Sequence, residues 1–368
     1  MTYSDSVVNS SDCTRATLMP ASARKLDFLI PVYNRPAYLY RILSTGLALK
    51  IPGAYFVVID DFSDQAEEVP GLGVITVEAV CASFKDSRVI YSRNPRNMSV
   101  AASLDRYYRD VCEADYTSLL NPKDEFLDGA PICEALTKMD ADPRLSFVVY
   151  PLRQGDPENL DRFLSFQYGR MSGKEFIARH IEDENLQHCS GYAIMRVTNA
   201  RIIGIPNNLD LRSYGLEDAS GIDHDMLFRM ATLGDVEFTS VPPIRRWIGN
   251  GYTQRFPLTF GYSQYQYARR LVIELGPDGW ISRNSQRHYL AFRLMLVVWG
   301  AVAVRGPYKG VIEADFTKPE KHMRLPLWLY IMLECVRFGI WPTRRMIALY
   351  VTAFMPWLPE AIRSRFKE

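Results

Sequence analysis

The six cysteines of this chain, at positions 13, 81, 112, 133, 189 and 335, form no Cys-x-x-Cys pair. Without that spacing neither a structural zinc site nor a disulfide framework is expected, and they read as reduced thiols of a cytosolic protein. No Gly-x-Gly-x-x-Gly follows the first apolar run, and no P-loop motif occurs anywhere, which disfavours dinucleotide and P-loop phosphate sites. The nucleophile elbow Gly-x-Ser-x-Gly and the zinc motif His-Glu-x-x-His are missing as well. Charge of one sign is lacking overall: 43 Lys and Arg nearly cancel 42 Asp and Glu, leaving a formal +1. A wholly basic nucleic-acid binder is excluded on that balance, and no nucleic-acid partner is expected. No apolar run reaches the ~18 to 20 residues that a membrane-spanning helix needs.

What is present is a chain of 368 residues, 48% hydrophobic and 23% charged, the balance of a folded protein. At roughly 150 residues per domain it holds about two folding units. Residues 1–24 are polar, rich in Ser and Thr, and lack the apolar core of a signal peptide; they read as a flexible leader. Leu26 to Val32 is a buried strand by its apolar run, Tyr38 to Leu49 a helix, Tyr55 to Ile59 a second strand, and Arg88 to Tyr91 a third. Ser99 to Val111 reads as a helix, with strands at Tyr116 to Leu120 and Leu145 to Tyr150. Gly221 to Gly234 reads as a further helix and Val236 to Val241 as a strand stopped by Pro242 and Pro243; from Tyr262 onward the chain is mainly helical. Strands alternating with helices predict an α/β fold with a mostly parallel, Rossmann-like sheet flanked by helices, followed by a helical C-terminal region. Polar residues gather just after strand ends, at Asn34-Arg35, Asp60-Asp61 and Asn121 to Glu125. In open parallel sheets, ligands bind outside the carboxyl ends of the strands, so the pattern predicts one cleft built from three separated loops.

Four blocks in order carry a family resemblance. Ile30-Pro31-Val32-Tyr33-Asn34-Arg35 resembles the opening strand of inverting family 2 glycosyltransferases of the GT-A fold, and Val58-Ile59-Asp60-Asp61-Phe62-Ser63-Asp64 resembles their second strand. Asn94 to Asp105 is similar to their N-x-G-x-x-x-A-x-N stretch, with Asn97 at the first Asn and Ser99 where Gly is usual. Ile222-Asp223-His224-Asp225 to Arg229 resembles their E-D-x-D-L-x-x-R helix start. The resemblance implies a catalytic domain over 25–260 and a nucleotide-sugar donor, with a general base that deprotonates an acceptor hydroxyl for attack on the anomeric carbon.

By position Asp223 is that base, with Asp218 after Glu217 as the other candidate and His224 and Asp225 as groups that hold or tune it. The bland alternative is a helix-start carboxylate stabilised by the dipole. The resemblance implies that Pro31, Tyr33, Asn34, Arg35, Asp60, Asp61, Asn97, Asn121 and Lys123 bind the donor, with Pro31, Tyr33 and Asn34 lining the base pocket. Asp60 is the hydrogen-bond acceptor and Tyr33 a stacking platform. Against this stand ordinary turn chemistry for Asp60-Asp61 and a core role for Tyr33. The clear departure is the metal motif. Where the family has D-x-D-D, this chain reads Asn121-Pro122-Lys123-Asp124-Glu125, with Lys123 at the usual metal-ligand position. Three readings stand open: Lys123 neutralises phosphate in place of the metal; Asp124, with Glu125, still holds Mg²⁺ or Mn²⁺; or the site has decayed to a non-catalytic binding scaffold. Arg245 and Arg246 are donor-binding by the same resemblance, approaching the leaving diphosphate, or else part of an exposed basic loop. Gly249-Asn250-Gly251 suggests a loop that orders over the donor.

Residues 261–368 form the predicted helical region. Lys321 to Glu368 carries eight Lys and Arg against three Glu, and apolar stretches there hold Trp328, Trp341 and Trp357. Basic, Trp-bearing amphipathic helices suit an anionic membrane surface; the alternative is a helical cap or oligomer contact on the catalytic domain. A peripheral position on the inner face of the cell membrane fits the lipid-linked or growing surface glycan that bacterial members of the family extend. A soluble transferase acting on a protein or small molecule is the other possibility.

Overall fold

The computed structural model describes residues 24–155, 162–164, 168–182, 192–205, 222–247, 257–287, 289–291 and 293–294. The leader, Glu217 and Asp218, the loop at 249–251 and the basic C-terminal stretches therefore lie outside the described residues.

Strand β1 (Leu26–Val32) is the centre of the molecule, buried along its length apart from Pro31. It pairs in parallel with β2 (Ala54–Asp60) on one side and β6 (Tyr116–Leu119) on the other. Beyond β2 lies β5 (Val89–Arg93), also parallel. Beyond β6 come β11 (Ala193–Arg196), antiparallel to both its neighbours, then β8 (Leu145–Val149) and β12 (Asp235–Phe238). The mostly parallel seven-stranded sheet flanked by helices agrees with the fold class expected from the sequence. The chain runs from β1 outward through β2 to β5, then returns to the far side of β1 as β6. The strand order thus reverses at β1, and the crevice outside its carboxyl end and that of β6 is the expected ligand position. Pro31, which has no N–H to give, sits past Leu29, where the pairing with β6 stops.

Helix α1 (Pro36–Ala48) follows β1 at once, with Pro36 at its first position and Leu39, Ile42, Leu43 and Gly46 on the buried face. Gly46 faces two rings: a Cβ added there would lie 2.4 Å from Phe56 and 2.8 Å from Phe126. Phe126 belongs to β7 (Asp124–Phe126), and its ring meets Phe28 edge-on at 4.8 Å. That contact ties the main sheet to a smaller four-stranded one.

The smaller sheet was not visible in the sequence pattern. Its order is β10 (Arg162–Leu164), β9 (Leu152–Gly155), β13 (Ile244–Trp247) and β7. Strands of three or four residues are too short to show a period. The hairpin β3 (Glu67–Val69) and β4 (Gly73–Ile75), with glycines 71 and 73 at positive φ, shows no period for the same reason.

The helix expected over Ser99 to Val111 holds as α3 (Ser99–Arg106) and then widens into a π turn (Tyr107–Val111). The Tyr107 hydroxyl donates to buried Asp27 of β1 at 2.8 Å. Helices α2 (Val77–Ser83), α4 (Ala130–Ala141), α5 (Gly173–Glu182) and α6 (Val197–Ile203) complete the first part. The helix expected from Gly221 is α7 (Ile222–Ala231), and the helical region opens with α8 (Pro257–Leu275). Asp225 of α7, fully buried, takes hydrogen bonds from Arg229 and from Arg270 of α8, both 2.9 Å, and so joins these two helices.

Candidate functional site

Two groups of side chains occupy the carboxyl edge of the main sheet. The first lies at the ends of β1, β2 and β5. Asn34 adopts φ 52°, and its backbone N–H donates to the Ser63 hydroxyl. Its side-chain oxygen accepts from the backbone of Asp64 and Gln65 while its amide donates to the Asp64 carboxylate. The loop after β2 is thereby locked onto the loop after β1, and Arg35 adds an ion pair to Glu67.

Asp60, almost fully buried, accepts the Tyr91 hydroxyl at 2.7 Å and the Ser63 N–H at 2.8 Å, with Arg93 at 4.0 Å. Asp61 caps the start of α3, accepting from the backbone of Met98 and Ser99 and from the Asn94 amide. Both bond sets are the turn and cap chemistry weighed from the sequence. What they hold outward is aromatic and cationic: Tyr33 is 48% exposed and Phe62 43%, with the Arg93 guanidinium 4.7 Å from the Phe62 ring centre. Tyr33 is thus not a core residue. Asn97 is exposed nearby on the turn into α3.

Phe62 and Ser99 stand at φ 67° and 74°. A bulky side chain at positive φ is strained, and such strain gathers at functional sites.

The second group is built by β7 and β13. Their antiparallel register sets Arg245 opposite Glu125 and Arg246 opposite Asp124. Since strand side chains alternate, the two arginines point to opposite faces. Arg245 joins Glu125 (3.6 Å) and lies over the Trp247 ring at 5.3 Å, and the Trp247 indole N–H donates to Glu125 at 2.8 Å. Gly155 of β9 leaves room for both, since a Cβ there would touch Arg245 and Trp247 at 3.2 Å. From α1, Arg41 lies over the same Trp247 ring at 5.4 Å and over Tyr38 at 5.3 Å, and it donates to the Lys123 carbonyl. The Lys123 ammonium sits 5.6 Å from the Tyr38 ring centre. Arg41 and Tyr38 were not anticipated from sequence; their only signal is an i, i+3 spacing on the helix that follows Asn34-Arg35.

Arg246, on the other face, acts electrostatically on Asp124, Tyr192 and Asp223. Asp124 has no exposed surface: one oxygen accepts the Tyr192 hydroxyl at 3.0 Å, the other the Asn121 N–H at 2.7 Å. Burial raises its pKa to about 7 against the pull of Arg246, Asn121, Tyr192 and Arg41. Asn121 closes the same turn by accepting the Lys123 N–H.

Asp223 lies in the first turn of α7, half-buried. Burial raises its pKa, while backbone N–H groups of His224 and Asp223 and the charges of Arg246 and Arg293 oppose the rise. A carboxylate so placed is a stronger base than one in water. His224 contacts buried His180 of α5 through ring nitrogens 3.1 Å apart, which anchors the start of α7. Asp225 does not face Asp223's neighbours; its bonds run to Arg229 and α8.

A divalent cation of the kind the resemblance implies does not fit the donor set that the described residues offer at this loop. It needs several oxygen ligands. Asp124 spends both oxygens on protein donors, Glu125 faces Trp247 and Arg245, and Lys123 occupies the ligand position. Among the described residues no three His, Cys, Asp or Glu side chains converge.

The fold is the GT-A fold. The chain superposes on S. aureus TarS 1–349 in complex with UDP-GlcNAc with a TM-score of 0.54 and 13% identity, over 88% of this chain and 83% of that one. The same protein in complex with UDP gives 0.52 over the same shares, at 13% identity. A mannosyltransferase of Pyrobaculum calidifontis, in complex with GDP-Man and Mn²⁺, is matched at 0.49 and 12% identity over 91% of this chain and 87% of that one. No protein-family model and no curated protein matches the sequence.

Proposed function

We propose that this protein is an inverting glycosyltransferase of the family 2 type, transferring a sugar from a nucleotide-sugar to a hydroxyl. One observation carries the reading: Arg246, paired with Asp124 of β7, acts electrostatically on the candidate base Asp223. A candidate base with a cation acting on it, at the carboxyl edge of a GT-A sheet, supports that reading. The fold likeness to TarS, whose structures hold UDP-GlcNAc and UDP, supports a nucleotide-sugar donor.

In this mechanism the nucleoside lies against Tyr33 and Phe62, over the loops that Asn34, Asp60 and Asp61 hold in place. Asp223 accepts the proton of the acceptor hydroxyl, and the oxygen forms a bond to the anomeric carbon from the face opposite the diphosphate. The bond from that carbon to the diphosphate oxygen breaks, and the nucleoside diphosphate leaves with the electron pair. Cationic side chains at the leaving group stabilise the charge it gains. The acceptor is a lipid-linked or growing surface glycan, reached from the inner face of the membrane through the basic, Trp-bearing C-terminal region. Among the described residues no helix is long and apolar enough to cross a membrane.

The test is nucleotide release from UDP-, GDP- and dTDP-sugars with membrane-lipid extract as acceptor. Asp223→Asn is expected to retain its fold and its nucleoside diphosphate affinity while losing turnover by about 10³-fold or more. Full turnover in that variant sinks the base assignment. Because burial raises the Asp223 pKa, the acid limb of the wild-type kcat/KM profile is expected above the ordinary carboxylate range.

A further inference from the structure

Three cations from three separate elements meet on two aromatic rings. Tyr38 has both Arg41 and Lys123 over it, at 5.3 and 5.6 Å. Trp247 has both Arg41 and Arg245, at 5.4 and 5.3 Å. Each ring attracts a cation through its negative face, but two cations sharing one ring repel each other. Glu125 lies on this face as well and takes Arg245 and the Trp247 N–H. The neighbouring Asp124 is buried beneath, on the opposite side of the strand, against Tyr192. Among the described residues the buried Arg41 Nε meets no hydrogen-bond partner. A buried guanidinium N–H left unmatched is costly unless an anion completes it.

The position of the cluster is as telling as its charge. It lies where β6 and β1 part at the switch point of the sheet, on the loop where the sequence resemblance expects a metal-binding carboxylate and supplies Lys123 instead. The carboxylates that remain there do not build a cation site.

We infer that Arg41, Lys123 and Arg245 bind the diphosphate of the donor directly, in the place a divalent cation would take, with Tyr38 and Trp247 as the scaffold that holds the three charges apart and aimed together. This rests on the nucleotide-sugar reading above. Arg41 and Arg245 supply forked N–H donors to non-bridging oxygens, and Lys123 supplies a compact charge. The ligand class is a nucleoside diphosphate, recognised through its pyrophosphate.

The experiment is calorimetric titration of the full chain with UDP and GDP, in EDTA and again with Mn²⁺. The wild type is expected to bind one of the two in EDTA, within about threefold of its affinity in Mn²⁺, and more weakly as salt rises. Lys123→Met and Arg41→Met, which keep much of the ring packing, are each expected to weaken binding by about tenfold or more. Lys123→Arg is expected to recover most of the loss, and thermal melting checks that each variant is folded. Binding that appears only with Mn²⁺, or binding in EDTA that both Met variants leave unchanged, overturns the inference while the donor reading stands. No binding of either nucleotide in any condition overturns the donor reading as well.

Discussion

Two aspartates sit within reach of Arg246 and have opposite fates. Asp223 is half-buried and keeps a surface from which to take a proton, whereas Asp124 is sealed under Tyr192 with both oxygens occupied. Asp124 leaves a signature in stability rather than in chemistry. With its pKa raised to about 7 by burial, the native state holds a proton that the unfolded chain has already lost between the ordinary carboxylate value and about 7. Stability from this group therefore falls as pH rises through that window. Urea melts of Asp124→Asn at about pH 5 and about pH 8 are expected to show a gap between the two conditions that is narrower than in the wild type by about 2 kcal/mol. An unchanged gap would mean that the carboxyl is not titrating where its burial places it. Residue identity alone did not separate these two aspartates; their surroundings did.

At the level of elements, the decisive pairing is β7 with β13. The Arg245-Arg246 dipeptide was legible as basic, but as one unit. Strand alternation splits it, sending Arg245 to the Trp247 cluster and Arg246 to the aspartates. Helix α1 contributes just as much, because Gly46 lets it approach Phe56 and Phe126 closely enough to bring Tyr38 and Arg41 over β13. Gly46→Ala would gain about 1 kcal/mol of helix propensity. It would meet a ring atom at 2.4 Å, inside an aromatic cluster with little room to yield. Overpacking of this kind costs about 1–3 kcal/mol, so a net loss of up to about 2 kcal/mol is expected in denaturant melts. A gain in stability would show that α1 can lift off the sheet without strain.

On the scale of the whole molecule, the α/β part and the helical region meet through α7 and α8. Arg229 and Arg270 converge on buried Asp225, and both reach Glu274 of α8. The start of the helical region is thus fastened to the helix that carries Asp223. The basic C-terminal stretch of the sequence carries the proposed membrane contact. Full-length protein is expected to float with vesicles containing phosphatidylglycerol and not with neutral phosphatidylcholine vesicles. Arg344→Glu with Arg345→Glu is expected to reduce that flotation several-fold, since each basic residue near an anionic surface contributes about 1 kcal/mol. Equal flotation of the double variant on both vesicle types would exclude an electrostatic membrane contact at this pair.

Six of the seven strands of the main sheet, the loops at its carboxyl edge and the misfit of Lys123 in a metal motif were legible in the sequence itself, whereas the antiparallel β11 was not. Long apolar strands, helices with a regular buried face and clusters of polar residues at strand ends are local patterns, readable because their periods extend over enough residues. The smaller sheet, the burial of Asp124, the separation of Arg245 from Arg246 and the part played by Arg41 were decided only by tertiary structure. Each depends on residues far apart in the chain, such as 41, 123 and 247, or 124, 192 and 246. Their approach is set by backbone pairing and by aromatic packing across layers, and neither leaves a local period to read.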